Sequence, residues 1–372
     1  MRAGVAAAAL AALVCACSSS KGPKPAALPA LADAAQVRTL WRARVGRADS
    51  YVFEPALAAG SVFAAARDGT VMRLDAASGR SAWRVSAGTP LSAGVGTDGR
   101  MVAVANEHGD VIALDAANGE RRWSARVSSE VIAPPAVAAG LVLVRSVDNR
   151  VFAFDAKGGK RRWLYQRAPS SLIIRAPSGI AVDGETAFVG FAGGKLTAIS
   201  LANGGVRWEA TVALPKGGTE LERVADVVGD PVVQGKEVCA ATYQGRVGCY
   251  ETASGRQVWA RDISSLTGVS LDARYAFVAD DRGTLQAFDR TNGRSVWKQD
   301  KLANRQLSLP QPVGEVIAVG DLEGYVHFVA RDTGAFVARY ATRGGPVRAA
   351  PLPLPGGVLV QTQDGALHAL AL

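Results

Sequence analysis

A glycine, a second glycine ten residues on and a tryptophan four residues after that recur down this chain, and few architectures accommodate such a repeat. The copies are Gly69, Gly79, Trp83; Gly109, Gly119, Trp123; Asn149, Gly159, Trp163; Gly194, Gly204, Trp208; Gly245, Gly255, Trp259; and Gly283, Gly293, Trp297. A seventh, Gly324 and Gly334, has Ala338 where Trp is expected. An eighth starts at Gly365, but the chain stops at Leu372, and a Trp without the two glycines at that spacing stands at the other end, Trp41. One copy shows what each contains. His108-Gly109-Asp110 is a tight turn, Val111 to Leu114 an apolar run of strand length, and Asp115 to Gly119 a second turn. The aspartate can accept backbone N–H groups there, and the glycine can take a positive φ. Trp123 then falls inside the next strand.

From Trp41 through Trp83, Trp123, Trp163, Trp208, Trp259 and Trp297 the steps are 42, 40, 40, 45, 51 and 38 residues. A period of about 40 residues built from short strands is that of a propeller blade. A linear array has no need for its first and last repeats to share a unit. A ring does, because closure removes the exposed sheet edges that invite aggregation. The reading is therefore all-β: an eight-bladed β-propeller over residues 37–372, closed by pairing of N- and C-terminal strands. Residues 37–47 would supply the outer strand of the blade whose inner strands come from 343–372. Repetition lets 372 residues avoid one oversized core.

Ahead of the ring, Met1-Arg2 is a short positive start, and Ala3 to Ala16 is small and apolar. Residues 1–16 read as a secretory signal peptide, too short to span a membrane. Val14-Cys15-Ala16-Cys17 resembles a bacterial lipobox, which makes Cys17 the lipidation site. Cys15 is the rival site, with bulky Val14 before it, and an ordinary secreted protein cut near Ala16 is the plain alternative. Residues 17–36, with Pro23, Pro25 and Pro29, read as a lipidated flexible tether. By resemblance to Gram-negative lipoproteins, Ser18 after the cysteine implies sorting to the outer membrane.

The two longest steps are consecutive, and their extra residues fall between an outer strand and the next inner strand. They are 166–175, containing Leu172, Ile173, Ile174 and Arg175, and 214–226, containing Arg223 and Asp226. Such connections emerge on one face of a propeller, so these two should be neighbours. Long loops on a rigid scaffold are where binding concentrates. An apolar run beside charged residues suits a protein interface with an apolar centre and a charged rim. The alternative is that Ile173 and Ile174 simply belong to an inner strand.

Catalytic chemistry finds little support. The three histidines, His108, His327 and His368, lack metal-ligand spacing, and no nucleophile elbow, C-x-x-C pair or phosphate loop occurs. Asp75, Asp115, Asp155 and Asp289 are too periodic to be one catalytic group and read as turn caps. No catalytic residue, cofactor or metal site is expected. The formal charge of +9 admits anionic partners, but the basic residues are scattered, so no nucleic-acid partner is expected. Cys239 and Cys249 flank the Tyr243-Gln244-Gly245 turn. A three-residue loop would set them opposite one another for a disulfide, whereas a two-residue loop would point them to opposite faces.

The Ala-Leu-Asp-Ala-x-x-Gly repeat with Trp four residues on is similar to the propeller repeat of quinoprotein dehydrogenases. Those enzymes are longer and carry a vicinal cysteine pair and acidic calcium ligands around pyrroloquinoline quinone, none of which is visible here. A periplasmic quinoprotein oxidoreductase is thus the rival reading. The chain more closely resembles the BamB family, propeller lipoproteins of the β-barrel assembly machinery. Lipobox, tether, eight repeats and split blade all correspond. So do Ser171 to Arg175, Thr219 to Asp226 with Pro231-Val232-Val233, and Asp321-Leu322-Glu323-Gly324-Tyr325. The resemblance implies a non-enzymatic, monomeric propeller, lipid-anchored to the outer membrane and facing the periplasm. It further implies that Leu172, Ile174, Arg175 and Asp226 contact a POTRA domain of the barrel-inserting subunit BamA. Val228 stands where that family has a second aspartate.

Overall fold

The structure, a computed structural model, describes residues 23–31, 34–168 and 172–372. The expected signal peptide, Cys17 and Ser171 lie outside the described residues. Eight four-stranded antiparallel sheets follow one another around a ring. Seven are continuous in sequence: 56–86, 96–126, 136–166, 180–211, 227–262, 270–299 and 311–341, termed blades one to seven. Blade eight takes three strands from 352–371 and its outermost strand, Arg38–Arg44, from the N-terminal end. The pairing registers Arg38 with Ala371 and Arg44 with Ala366. Each innermost strand touches the next, and that of blade eight, Leu352–Leu354, touches that of blade one, Ala56–Ala58. The circle is closed.

Each blade alternates as a two-sided sheet must. Second strands such as Ser61–Ala65 and Met101–Ala105 are wholly buried between neighbouring blades. Outer strands such as Ser81–Ser86 are half in solvent.

The repeat that announced the fold turns out to act between blades. The indole N–H of Trp123 donates to Ala156 O of the following blade at 2.8 Å. The same bond joins Trp41 to Ala76, Trp83 to Ala116, Trp163 to Leu201, Trp208 to Thr252, Trp259 to Arg290 and Trp297 to Arg331. The ring lies flat on the turn glycine of that next blade. At Gly159, with φ of 69°, a Cβ would come within 2.6 Å of the Trp123 ring. Glycine is therefore required twice there, by backbone conformation and by the indole on top of it.

The junction between blades seven and eight is built differently. Small residues oppose the Trp in several blades: Ala113, Ala153, Ala198, Ala287 and, across from Trp41, Ala369. In blade seven the sizes are exchanged, with Phe328 opposite Ala338. Phe328 is buried against Val358, Val360 and Leu370 of blade eight. Tyr340 adds polar contacts across the junction, to Thr39 at 3.1 Å and to His368 Nδ1 at 3.2 Å.

Two details extend the sequence reading. Leu172 to Ile174 form no strand, because the innermost strand of blade four begins only at Ile180. The described part of the expected tether is not free of the ring. Ala35 N donates to Val337 O at 2.9 Å, and Ala26 N to Ala303 O at 2.8 Å.

Candidate functional site

Antiparallel blades of this topology send two sets of connections to one face: outer-to-inner crossings and the turns between second and third strands. The crossings 167–179 and 212–226 are adjacent members of the first set, and one side chain joins them. The Asp226 carboxylate accepts the N–H of Ile174 at 2.7 Å and that of Gly193, in the blade-four turn, at 3.0 Å. Asp226 is only 4% exposed. Sequence reasoning places it on the contact surface. The structure puts it beneath the surface, where it holds three loop segments together.

Above it the apolar residues project. Leu172 is 40% exposed, Ile173 37%, Leu214 65% and Leu221 72%. Ile174 is half-buried and Arg223 exposed. The second loop keeps its shape through its own polar groups. The Glu222 carboxylate accepts the N–H groups of Gly218 and Thr219 at 2.8 and 3.1 Å. Those bonds hold its carboxyl below the usual carboxylate range. Sequence reasoning missed Leu214 and Leu221 as site residues. Their signal was present, as isolated large apolar side chains among Pro215, Lys216, Gly217, Glu220 and Glu222.

Arg175 lies at the inner rim. Its guanidinium pairs with Glu130, from the crossing between blades two and three, and stacks 5.3 Å from the Tyr51 ring centroid. The Glu130 hydrogen bond raises the Arg175 pKa. Tyr51 in turn bonds Glu107, which pairs with Arg67 at 2.7 Å. Burial, then the Glu107 hydrogen bond, push the Tyr51 hydroxyl up. A continuous polar string thus runs from blade one to the Leu172 loop. Tyr51 and Glu130 had no distinguishing mark in the sequence, since nothing local says that segments so far apart meet. Beneath the loops, burial pushes Arg145 down to about 10, against the opposing pull of Asp226 and Asp230.

Val228 is 1% exposed and pairs with Ala241, so an apolar side chain packs inward at that position. Cys239 and Cys249 are directly opposite on neighbouring strands of blade five and are joined by a disulfide, Cα–Cα 4.0 Å. Both are fully buried, in the core cluster that blade five shares with Ala276, Val278 and Phe288 of blade six. In the central channel Glu54 and Asp230 line a cavity of about 140 Å³ with Arg348, Leu309 and Thr267. Burial, with the Asp230 charge second, raises Glu54 to about 7. Among the described residues no three His, Cys, Asp or Glu side chains gather into a metal-binding group.

Comparison with known proteins agrees with the propeller fold. The family model described as "Outer membrane protein assembly factor BamB" matches residues 4–85 and 67–299. An outer membrane protein assembly factor BamB of Bordetella pertussis is 44% identical over 345 residues, covering 92% of this chain and 89% of its own. The crystal structure of BamB from Moraxella catarrhalis superposes with a TM-score of 0.83 at 26% identity, covering 91% of this chain and all of that one. A quinohemoprotein alcohol dehydrogenase from Comamonas testosteroni reaches 0.73 at 13% identity, covering 90% of this chain and 76% of its own, a likeness of fold alone.

Proposed function

Because the chain belongs to the BamB family of outer membrane protein assembly factors, we propose that it is a non-enzymatic scaffold that supports insertion of β-barrel proteins by gripping the barrel-inserting subunit BamA. It would be anchored through lipid on Cys17 to the outer membrane, with the propeller in the periplasm as a monomer. Leu172, Ile173 and Ile174, with Leu214 and Leu221, form the apolar centre against a POTRA domain, and Arg175 and Arg223 its charged margin. The observation that carries this reading is the Ile174–Asp226 bond. It fuses two crossings from different blades into one surface, so that their exposed leucines act as a unit. Apolar residues pre-held in this way lose little freedom on association, and a few of them can supply most of the affinity.

The test is affinity capture of the full-length protein from outer membranes. BamA should come down with it, and Arg175→Ala should reduce the yield while leaving the thermal unfolding of the propeller in place. Capture without BamA, or an Arg175→Ala variant that binds as well as the parent, removes this assignment.

A further inference from the structure

One buried polar cluster remains outside that surface. Asp321, in the second-to-third-strand turn of blade seven, is completely buried and supports two arms. Arg305, 2% exposed, donates to it at 2.7 Å. His327, also completely buried, bonds it through Nε2 at 2.8 Å, and Arg339 donates to His327 Nδ1 at 3.3 Å. Burial opposes a charge on Asp321, yet His327, the Tyr325 N–H and Arg305 together hold its carboxyl below the usual range. Each arm ends on the same foreign segment. Arg305 donates to Ala26 O at 2.8 Å, and Arg339 to Pro29 O at 3.0 Å. Asn304 adds a bond to Lys24 O at 3.3 Å.

The segment fits what receives it. Ala26 and Pro29 are three residues apart, a spacing that an extended proline-rich chain with three residues per turn brings to one side. Such a chain makes no internal hydrogen bonds, so its carbonyls are free to accept. Pro25, Ala26, Leu28, Pro29 and Leu31 are half-buried, while Pro23, Lys24, Ala27 and Ala30 are exposed. Arg305 and Asn304 belong to the crossing between blades six and seven, on the same face as the crossings that carry Leu172 and Leu221. The segment therefore reaches Arg305 on that face and descends past Arg339 and Val337 to start Arg38–Arg44 at the opposite side.

We propose that residues 24–31 are a docked strap that delivers the N-terminus to the loop-bearing face, so that this face is turned toward a lipid surface. The inference rests on the reading that Cys17 is lipidated. Lys24 lies seven positions after Cys17, with six residues between them, at most about 25 Å of extended chain. The Leu172–Leu221 surface is then held near the bilayer, and the Asp321 cluster fixes the orientation that a free linker would leave random.

The experiment uses the full-length lipidated protein in phosphatidylethanolamine–phosphatidylglycerol vesicles containing a nitroxide headgroup lipid as quencher. Fluorophores are placed on Lys216→Cys, on the loop face, and on Lys157→Cys, in a turn on the opposite face. The Lys216 label should lose most of its emission and the Lys157 label should keep it. Arg339→Ala with Asn304→Ala, and separately Arg305→Met, should abolish that difference. The first pair leaves the buried Arg305–Asp321 bond intact should Arg305→Met fail to fold. Protein that floats with the vesicles but quenches equally at both sites, or keeps the difference in the folded double variant, overturns the strap. Protein that does not float overturns the lipid anchor, and the orientation falls with it.

Discussion

The Asp226 carboxylate accepts the backbone N–H of Ile174 at 2.7 Å, across 52 positions of sequence. Its other oxygen takes Gly193 N–H at 3.0 Å. A buried carboxylate serving two backbone donors stabilises the loop geometry more than it offers itself to a partner, since losing it leaves both donors without partners. Asp226→Ala is expected to cost about 2 kcal/mol and to speed amide exchange at Ile174 and Gly193 specifically. Hydrogen exchange by NMR or mass spectrometry checks this. Unchanged protection at both amides would show that the loops hold themselves.

The leucines above that staple are expected to behave oppositely. Leu214 and Leu221 are 65% and 72% exposed, so Leu214→Ser with Leu221→Ser should shift stability by no more than about 0.5 kcal/mol each. Capture of BamA from membranes should fall clearly for the same double variant. Chemical denaturation and capture on one preparation separate the two effects.

Glycines of equal backbone conformation should not be equally replaceable. Gly140 has φ of 74° and nothing within 4 Å of where a methyl group would sit, whereas at Gly159 the Trp123 ring lies 2.6 Å from that position. Gly140→Ala should cost about 1 kcal/mol, the penalty of a left-handed residue. Gly159→Ala should cost about 3 kcal/mol, because the indole must also move. Urea titrations of the two variants give the comparison directly.

The channel carboxylate Glu54 gives a pH signature. Its folded pKa is raised to about 7 by burial and by the Asp230 charge, from an ordinary 4.5. The folded state thus binds this proton more tightly than the unfolded chain. The associated stability is complete below about pH 4.5 and is lost as pH rises through 7. Glu54→Gln should therefore melt higher than the parent at pH 8 and close to it at pH 5, measured by thermal unfolding at both values. An equal difference at both pH values would mean that Glu54 is solvated as an ordinary carboxylate.

How much of this was legible beforehand depended on whether a feature repeats. Trp123 and Gly159 were readable because each recurs at fixed spacing, and the ring needs the same contact at seven junctions. The exchange of Phe328 for a Trp could not be read, because a cross-strand pair is defined by register and not by sequence distance. The Leu172 and Leu221 loops were visible as breaks in the period. Their joining by Asp226 was not, because a carboxylate under a loop and one on top of it are the same letter. Arg305 and Asp321 were invisible as a clamp, since neither strap nor cluster contains a pattern that refers to the other.

The split sheet also governs when the molecule can finish folding. Arg38–Arg44 is made early, yet its neighbour Ala366–Ala371 comes last. A folding chain carries that first strand as an unsatisfied edge until Ala366–Ala371 is in place. Maturation is therefore a single late event, and a product truncated just before that last strand would be an unsealed arc that chaperones and proteases meet as unfinished.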